Sequence, residues 1–179
     1  MEGMANKSYL VLTAVGPDRP GLVSEISSLV LAAGANLEDS RMAILGGEFA
    51  LLVLVSGDEA AMHQVEARGG ELGARLGLRL MTKATTSRQA ARDFLPFQIR
   101  VTGVDRPGIV QRVAGVLAGR GVNVASLESR LEFAPESGTP MFILEANLQI
   151  PSALALADLR RELSSACEEE SWEYALEGA

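Results

Sequence analysis

Asp18-Arg19-Pro20-Gly21 occurs a second time, 87 residues later, as Asp105-Arg106-Pro107-Gly108. An apolar stretch typical of a β-strand precedes each copy, and a pattern typical of an amphipathic helix follows it. A strand that turns through Pro-Gly into a helix leaves free backbone N–H groups at the helix start, and these groups attract anions. The repeated turn therefore predicts a duplicated chain with two candidate anion-binding turns.

The repeat extends beyond the turn into the helix and the strand that follow it. Apolar residues recur with the helical period after both turns. They are Leu22, Val23, Ile26, Leu29, Val30 and Ala33 in the first copy and Ile109, Val110, Val113, Val116 and Leu117 in the second. Gly34, an expected left-handed helix cap, matches Gly121, and Asn36 matches Asn123. So many shared positions at one offset indicate duplication.

Periodicity and turn residues predict the same order of elements in both halves. The first half is expected to have strands at 9–15, 36–45, 49–55 and 78–83, with helices after Pro20 and Asp58. The second half is expected to have strands at 97–104, from Asn123, at 141–150 and at 171–176, with helices after Pro107 and at 152–168. The order βαββαβ is ferredoxin-like, with two helices on one face of a four-stranded sheet. The predicted fold class is α+β, with two such domains in tandem.

Two details concern the helices of the first half. Pro20 is expected near the first helical position, where a missing N–H costs nothing. Gly69, Gly70 and Gly73 weaken the second helix, and we expect it to break near the first two of them.

The domain boundaries are expected in a polar stretch without a sustained period. Residues 84–95 are predicted to be a linker between a first domain, 1–83, and a second domain, 96–179. Residues 1–7 are predicted to be a short disordered N-terminus.

Composition argues against several classes of protein. The chain has 179 residues, of which 47% are hydrophobic but only 4% aromatic, so its cores must be aliphatic. A net charge of −7 makes direct binding to nucleic acid a poor expectation, because that binding needs clustered Lys and Arg. The single cysteine, Cys167, and the lack of a visible secretory signal or membrane span favour a cytoplasmic protein.

The third strands of the two halves differ on the face turned away from the helices. If Phe49 and its alternate neighbours face the helices, Leu52 and Leu54 face away, and their counterparts are Glu145 and Asn147. We expect that face of the first sheet to be covered by the other domain or another chain, and that of the second to be solvated. The alternative is a general aliphatic bias of a small domain.

With the repeat, the element order and the turns in hand, the chain resembles a tandem pair of ACT domains. More narrowly, it is similar to the glycine cleavage system transcriptional repressor family. The matching residues are Asp18-Arg19-Pro20-Gly21-Leu22-Val23 and Asn36-Leu37-Glu38-Asp39-Ser40-Arg41-Met42-Ala43-Ile44-Leu45-Gly46, and the resemblance covers residues 8–177. It implies a ligand-responsive regulator with no DNA-binding module of its own, which contacts a DNA-binding activator and has glycine as its effector.

The resemblance also implies where a ligand binds. In ACT domains the turn between the first strand and the first helix contacts an amino acid, often at a domain or subunit interface. By position, ligand contacts are implied for Asp18, Arg19, Pro20, Gly21 and Leu22 and for Asp105, Arg106, Pro107, Gly108 and Ile109. Asn36 and Asn123 stand where a partner domain's Asn often meets the ligand.

The chemistry of these turns suits an amino acid, although a local explanation is open. Free N–H groups after Gly21 and Gly108 supply donors for a carboxylate. Asp18, Asp105 or the side-chain carbonyls of the two asparagines supply an acceptor for an ammonium group. In the local explanation, Asp caps the helix while Pro and Gly shape the turn. The turn arginines either clamp an anion or lie along the surface.

Catalysis and metal binding are poorly supported by the residues present. His63 is the only histidine and is expected to be solvated on a helix, and Cys167 is expected in the core. No Ser-His-Asp set, Cys-His metal spacing, P-loop or dinucleotide fingerprint is visible, so no cofactor is expected. Asp39-Ser40-Arg41 is a polar cluster that either contacts a protein partner or is a solvated edge.

These features predict a non-enzymatic, amino-acid-responsive regulator that acts on transcription through a protein partner, without direct contact with nucleic acid or membrane. A homodimer is compatible with the paired turns. The alternative is an allosteric amino-acid-binding accessory subunit of a metabolic enzyme, which would share every feature above.

Overall fold

Each half of the chain folds into a four-stranded antiparallel sheet with two helices on one face. The computed structural model describes residues 7–86 and 93–179, and the chain divides into two compact units, Met1–Gln89 and Ala90–Ala179. This confirms the predicted α+β class and the ferredoxin-like order of elements in both halves. None of the helices in the described residues is long and apolar enough to cross a membrane.

The two units have the same strand order. The first contains β1 (Ser8–Pro17), α1 (Leu22–Ala32), β2 (Asn36–Leu45), β3 (Glu48–Gly57), α2 (Glu59–Leu76) and β4 (Arg79–Thr85), with sheet order β2-β3-β1-β4. The second contains β5 (Phe94–Val104), α3 (Ile109–Gly119), β6 (Asn123–Phe133), β7 (Pro140–Pro151), α4 (Leu156–Glu168) and β8 (Glu173–Gly178), with order β6-β7-β5-β8. The sheet order leaves β2 and β6 at the edges.

Alternate strand residues build an aliphatic core between each sheet and its helices. On β3, Phe49, Leu51, Val53 and Val55 are buried, as predicted, and they face α1 and α2. In the second unit Cys167 is 1% exposed within the core, which confirms its predicted place. Burial raises the pKa of its thiol, so Cys167 is a packing residue.

Helices α1 and α3 end in the same way, which confirms the predicted caps. Gly34 and Gly121 have φ values of 75° and 67°, a left-handed conformation that glycine adopts without strain. The N–H of the residue after each glycine donates back into the last turn: Ala35 to the carbonyl of Val30, and Val122 to that of Leu117. Both ends are therefore Schellman motifs.

Helix α2 is continuous from Glu59 to Leu76, so the predicted break near Gly69-Gly70 is wrong. Two of its glycines lie where the helix passes close to the chain entering β4. A Cβ on Gly69 would lie 2.9 Å from a side-chain carbon of Leu80, and one on Gly73 would lie 2.9 Å from a backbone oxygen. Close packing on β4 therefore offsets the weak helix propensity of glycine.

Other boundaries also differ from the sequence-based expectation. Helix α4 begins at Leu156 and not at 152, because Leu154 donates to the carbonyl of Pro151 and closes a turn there. Strand β4 continues to Thr85, and β5 begins at Phe94, so both strands extend into the predicted linker 84–95.

Parts of two predictions lie outside the described residues. They are the centre of the predicted linker, 87–92, and residues 1–6 of the predicted disordered terminus. Lys7 is described, and its Nζ donates to Glu38 at 2.6 Å.

The outer face of each sheet, turned away from its helices, differs in character between the units. On the first sheet three rows cross the strands in the order β2, β3, β1, β4. They are Asp39, Leu54, Val11 and Lys83; Arg41, Leu52, Thr13 and Met81; and Ala43, Ala50, Val15 and Arg79. Leu52 and Leu54 thus lie on the outer face as predicted. Leu52 is 47% exposed, and the covering of this face stays a prediction.

The outer face of the second sheet is polar, as predicted. Its equivalent rows are Ser126, Asn147, Gln98 and Glu177; Glu128, Glu145, Arg100 and Ala175; and Arg130, Ile143, Thr102 and Glu173. Glu145 accepts from Arg100 and, at 2.7 Å, from Arg130, and the hydrogen bond from Arg130 is the main reason that its pKa is lowered. These charges lie beside a polar cavity of about 390 Å³.

Candidate functional site

The two repeated turns join β1 to α1 and β5 to α3, and a backbone hydrogen bond fixes each of them. The N–H of Asp18 donates to the carbonyl of Gly47 at 3.1 Å, in the hairpin between β2 and β3. The N–H of Asp105 donates to the carbonyl of Pro140 at 3.0 Å, where β7 begins. Each turn is therefore held against the adjacent hairpin by its first residue.

A glycine caps the start of both helices, and the first helical residue of α1, Leu22, lies two residues after Pro20. Gly21 and Gly108 are the N-cap residues, with φ values of 95° and 105°. Neither helix has a side-chain cap, and its first α-helical bond is accepted by the glycine carbonyl, from Glu25 in α1 and Arg112 in α3. The left-handed glycine takes the capping position, so the proline precedes the helix.

The N–H groups of the first helical turns are free. Within the residues that the structure describes, no acceptor is bonded to the N–H groups of residues 22–24 or 109–111. Helix α2 shows the contrast, because the Asp58 side chain accepts from the Ala61 N–H at 2.8 Å. Asp18 and Asp105 therefore do not act as local caps, and three N–H donors at each turn have no protein acceptor and lie in a positive helix-end potential.

A depression of about 290 Å³ lies at the first turn. It is lined by Asp18, Arg19, Gly21, Leu22, Val23, Ser24, Met42 and Phe49. The turn offers N–H donors, a carboxylate and a guanidinium group, and Met42 adds an apolar wall. This set matches a small zwitterion, whose carboxylate needs donors and whose ammonium group needs an acceptor.

The predicted ligand residues divide by exposure. Asp18, Arg19, Pro20 and Gly21 are exposed, and so are their four counterparts at 105–108. Leu22 and Ile109 are 1% and 2% exposed, so their side chains belong to the core. These two residues can offer a ligand only their backbone N–H groups.

Within one unit the structure does not bring the predicted asparagines to the turns. Asn36 of β2 is opposite Ser56 of β3, and Ser56 is opposite Tyr9 of β1. Tyr9 lies at the end of β1 that is far from the turn. Pro17 lies eight steps along the strand from Tyr9, which is a distance of about 26 Å. Asn123 has the equivalent place in the second sheet, and its Nδ2 donates to Gln149 at 2.8 Å.

Asn36 belongs instead to a hydrogen-bonded cluster around Glu38. The carboxylate oxygen of Glu38 accepts from Lys7 at 2.6 Å, from Ser56 at 2.5 Å and from Asn36 at 3.3 Å. These hydrogen bonds, that from Lys7 first, lower the pKa of Glu38 to about 2. Glu38 occupies the irregularity in the pairing of β2 with β3, between Leu37 and Asp39, and the cluster holds it there.

Ion pairs next to the two turns have opposite polarity, which the sequence analysis missed. In the first unit Glu25 of α1 accepts from Arg75 of α2 at 2.9 Å. In the second unit Arg112 stands at the position of Glu25 and pairs with Glu169 and, at 2.8 Å, with Glu170. The Arg75 pair lowers the pKa of Glu25, and the charge of Arg19 adds to this effect. Comparing charges between the two repeats would have revealed the reversal.

Among the described residues, the side chains considered for catalysis and metal binding form no metal-binding cluster. His63 is exposed on α2, with carboxylates of Glu59 and Glu66 within 4.0 Å. Across 7–86 and 93–179, no group of three or more His, Cys, Asp or Glu side chains could hold a metal ion. Asp39 and Arg41 pair with each other at 2.5 Å on the outer face of the first sheet.

Comparison with known families and relatives gives a consistent result. ACT domain models match residues 8–83 and 97–163. The glycine cleavage system transcriptional repressor of Escherichia coli (strain K12) is 31% identical over 166 residues, which are 93% of this chain and 87% of that protein.

Two solved structures match nearly the whole chain. A protein of unknown function from Galdieria sulphuraria has a TM-score of 0.82 at 30% identity, over 97% of this chain and 99% of that one. A protein provisionally assigned as a glycine cleavage system transcriptional repressor has a TM-score of 0.74 at 30% identity, over 97% and 98%.

Proposed function

This chain belongs to the tandem ACT-domain proteins, in the family of the glycine cleavage system transcriptional repressor, and from that premise we propose that it is a non-enzymatic, amino-acid-responsive regulator of transcription. It acts in the cytoplasm through a protein partner. The observation that carries the proposal is that two turns of one sequence each present uncapped helix N–H groups beside an aspartate.

The proposed ligand is a small amino acid bound at the turns. Its carboxylate accepts from the free N–H groups that follow Gly21 or Gly108, and its ammonium group lies near Asp18 or Asp105. Glycine is the first candidate, because the relative from Escherichia coli is named for the glycine cleavage system. Asn36 and Asn123 contribute only if they reach the turn of a different unit or chain.

The proposed response is a shift between states with different affinity for the partner. A ligand changes partner binding only if the two prefer different arrangements of the protein, and the coupling is reciprocal. The net charge of −7 supports action through a DNA-binding partner over direct contact with DNA.

Calorimetric titration tests the ligand. Glycine, serine, alanine and branched-chain amino acids are titrated into wild type, Asp18→Ala and Asp105→Ala, with Glu71→Ala on the exposed side of α2 as the matched control. Loss of a charged contact worth about 1.5–3 kcal/mol weakens binding by about 10- to 100-fold in the variant whose turn holds the ligand. The control retains wild-type affinity.

Two results contradict the proposal. If no amino acid produces heat or a thermal shift, neither turn is an amino-acid site. If the protein alone retards a promoter fragment in a salt-sensitive manner, or turns over an amino-acid substrate, the proposed mode of action is wrong.

A further inference from the structure

The outer face of the first sheet has an apolar centre. Its two middle strands contribute Val11, Val15, Leu52 and Leu54, and both Val15 and Leu52 are 47% exposed. Met81 beside them is 58% exposed. A groove of about 240 Å³, with room for one large apolar side chain, lies along Val11, Leu52 and Leu54. Contiguous exposed apolar surface of this kind is typical of interaction sites.

Basic residues border this apolar centre. Lys83 of β4 lies beside Val11 of β1, and Arg79 lies on β4 two residues before Met81. Neither cation has an ion-pair partner among the residues that the structure describes. Arg41, on the opposite border, pairs only with Asp39. The border formed by β4 is therefore positive on a chain whose net charge is −7, whereas on the β2 border Asp39 offsets Arg41.

The second sheet shows that the fold does not require this character. The register of the strands places Glu128, Glu173 and Glu177 at the positions of Arg41, Arg79 and Lys83. The Arg100–Glu145 ion pair stands where the first sheet has Thr13 and Leu52. Since both sheets have one topology, the apolar centre and the basic border are properties of the first face alone.

A second copy of this chain fits the first face poorly. Two first faces packed together would offer Arg79 and Lys83 no carboxylate from the three rows of that face except Asp39, which already pairs with Arg41. The border of the second face has three carboxylates, Glu128, Glu173 and Glu177, and one cation, Arg130. Its centre, however, would place the charged groups of Arg100 and Glu145 against Leu52, and that burial is unfavourable.

We propose that the outer face of the first sheet is the surface on which this protein binds a segment of a protein partner that presents apolar side chains flanked by carboxylates. One apolar side chain of the segment fills the groove beside Leu52 and Leu54, and the carboxylates lie against Arg79 and Lys83. This proposal rests on the proposed function, because it names the chemistry of the partner through which the regulator acts.

Fluorescence anisotropy with two synthetic amphipathic peptides tests the proposal. The peptides have identical leucine spacing, one with flanking glutamates and one with flanking lysines. We expect wild type to bind the glutamate peptide at least tenfold more tightly than the lysine peptide, with an affinity that falls as NaCl is raised. Leu52→Glu weakens binding at least tenfold, and Arg79→Glu with Lys83→Glu reverses the preference.

Asn147→Glu is the matched control, because Asn147 is the counterpart of Leu54 on the second sheet. It leaves peptide binding unchanged. The double charge variant changes only exposed border residues, so it keeps the test valid if Leu52→Glu, checked by circular dichroism, does not fold.

Several outcomes overturn the proposal. They are binding of neither peptide, equal binding of both, or an unchanged preference in the double variant. If sedimentation instead shows a dimer that Leu52→Glu dissociates while neither peptide binds, the face pairs with a second copy. The glycine titration is independent, so peptide binding without a glycine response refutes the proposed effector and leaves this surface intact.

Discussion

Replacing Gly103 with alanine should destabilise the second unit through a single contact. Gly103 lies on the inner face of β5, and the indole of Trp172 packs against it. A Cβ built there would be 2.2 Å from Cδ1 and 3.0 Å from Cγ of Trp172. Carbon atoms pack at about 3.5–4.0 Å, so the indole, which is 7% exposed, must move by about 1 Å or more. Overpacking of this kind costs about 1–3 kcal/mol.

Gly115→Ala is the matched control, because it is the same substitution in the same unit with the opposite expected sign. Gly115 lies on the exposed side of α3, and a Cβ there would meet nothing within 4 Å. Alanine favours the helix over glycine by about 1 kcal/mol, so this variant should be more stable than wild type.

Guanidinium unfolding followed by tryptophan emission separates the two effects. Trp172 is the only tryptophan of the chain, so its emission reports on the second unit. The unfolding midpoint should fall in Gly103→Ala and rise in Gly115→Ala, with similar denaturant slopes. A Gly103→Ala midpoint at or above that of wild type, with unchanged native emission, would refute the packing of Trp172 on Gly103.

Three further predictions concern the first unit. Gly73→Ala should lower the thermal unfolding midpoint, because its Cβ would lie 2.9 Å from a backbone oxygen. Gly70→Ala is the control and should raise the midpoint, because its Cβ would lie in open space. Equal effects of the two substitutions would argue against close packing of α2 on β4. Hydrogen bonds hold the pKa of Glu38 at about 2, below the ordinary 4.5, so its contribution to stability is complete above pH 4.5 and is lost as the pH falls through 2. Acid titration of unfolding should therefore show a smaller loss in Glu38→Gln than in wild type, and identical curves would contradict this. Glu25→Arg places like charges beside Arg75 and should lower the thermal unfolding midpoint of the first unit slightly, because the ion pair is exposed. Adding Arg75→Glu should restore that midpoint, and a double variant no better than the single would exclude the ion pair.

The repeat made most of the fold predictable. One turn, one apolar helix face and matching Gly and Asn positions defined two copies of a βαββαβ unit, and the alternation on β3 placed Leu52 and Leu54 on the outer face. These features depend on local periodicity, which a sequence displays directly.

The continuity of α2 could not be read in the same way. Glycine weakens a helix in isolation, but Gly69 and Gly73 lie where the helix passes close to Leu80 and the preceding backbone. Only the tertiary contact shows that their lack of a side chain is useful there, so propensity alone predicted a break.

The candidate site was predicted in position but not in detail. The sequence located both turns, yet it left open whether aspartate caps the helices, and the left-handed Gly21 and Gly108 answer that question. The distance from the first turn to Asn36 depends on the pairing of β2 with β3, which has an irregularity after Leu37. A strand register of this kind is visible only in the folded structure and not in the sequence.

The reversed ion pairs beside the turns have a consequence for folding during synthesis. Neighbouring repeats of one fold are prone to exchanging elements, a characteristic error of repeat proteins. If α1 packed on α4, Glu25 would meet Glu169, and if α3 packed on α2, Arg112 would meet Arg75. Correct pairing joins opposite charges in both units, whereas each exchanged pairing joins like charges. The polarity of these pairs therefore favours packing of each helix on its partner in the same unit over packing on the equivalent helix of the other unit.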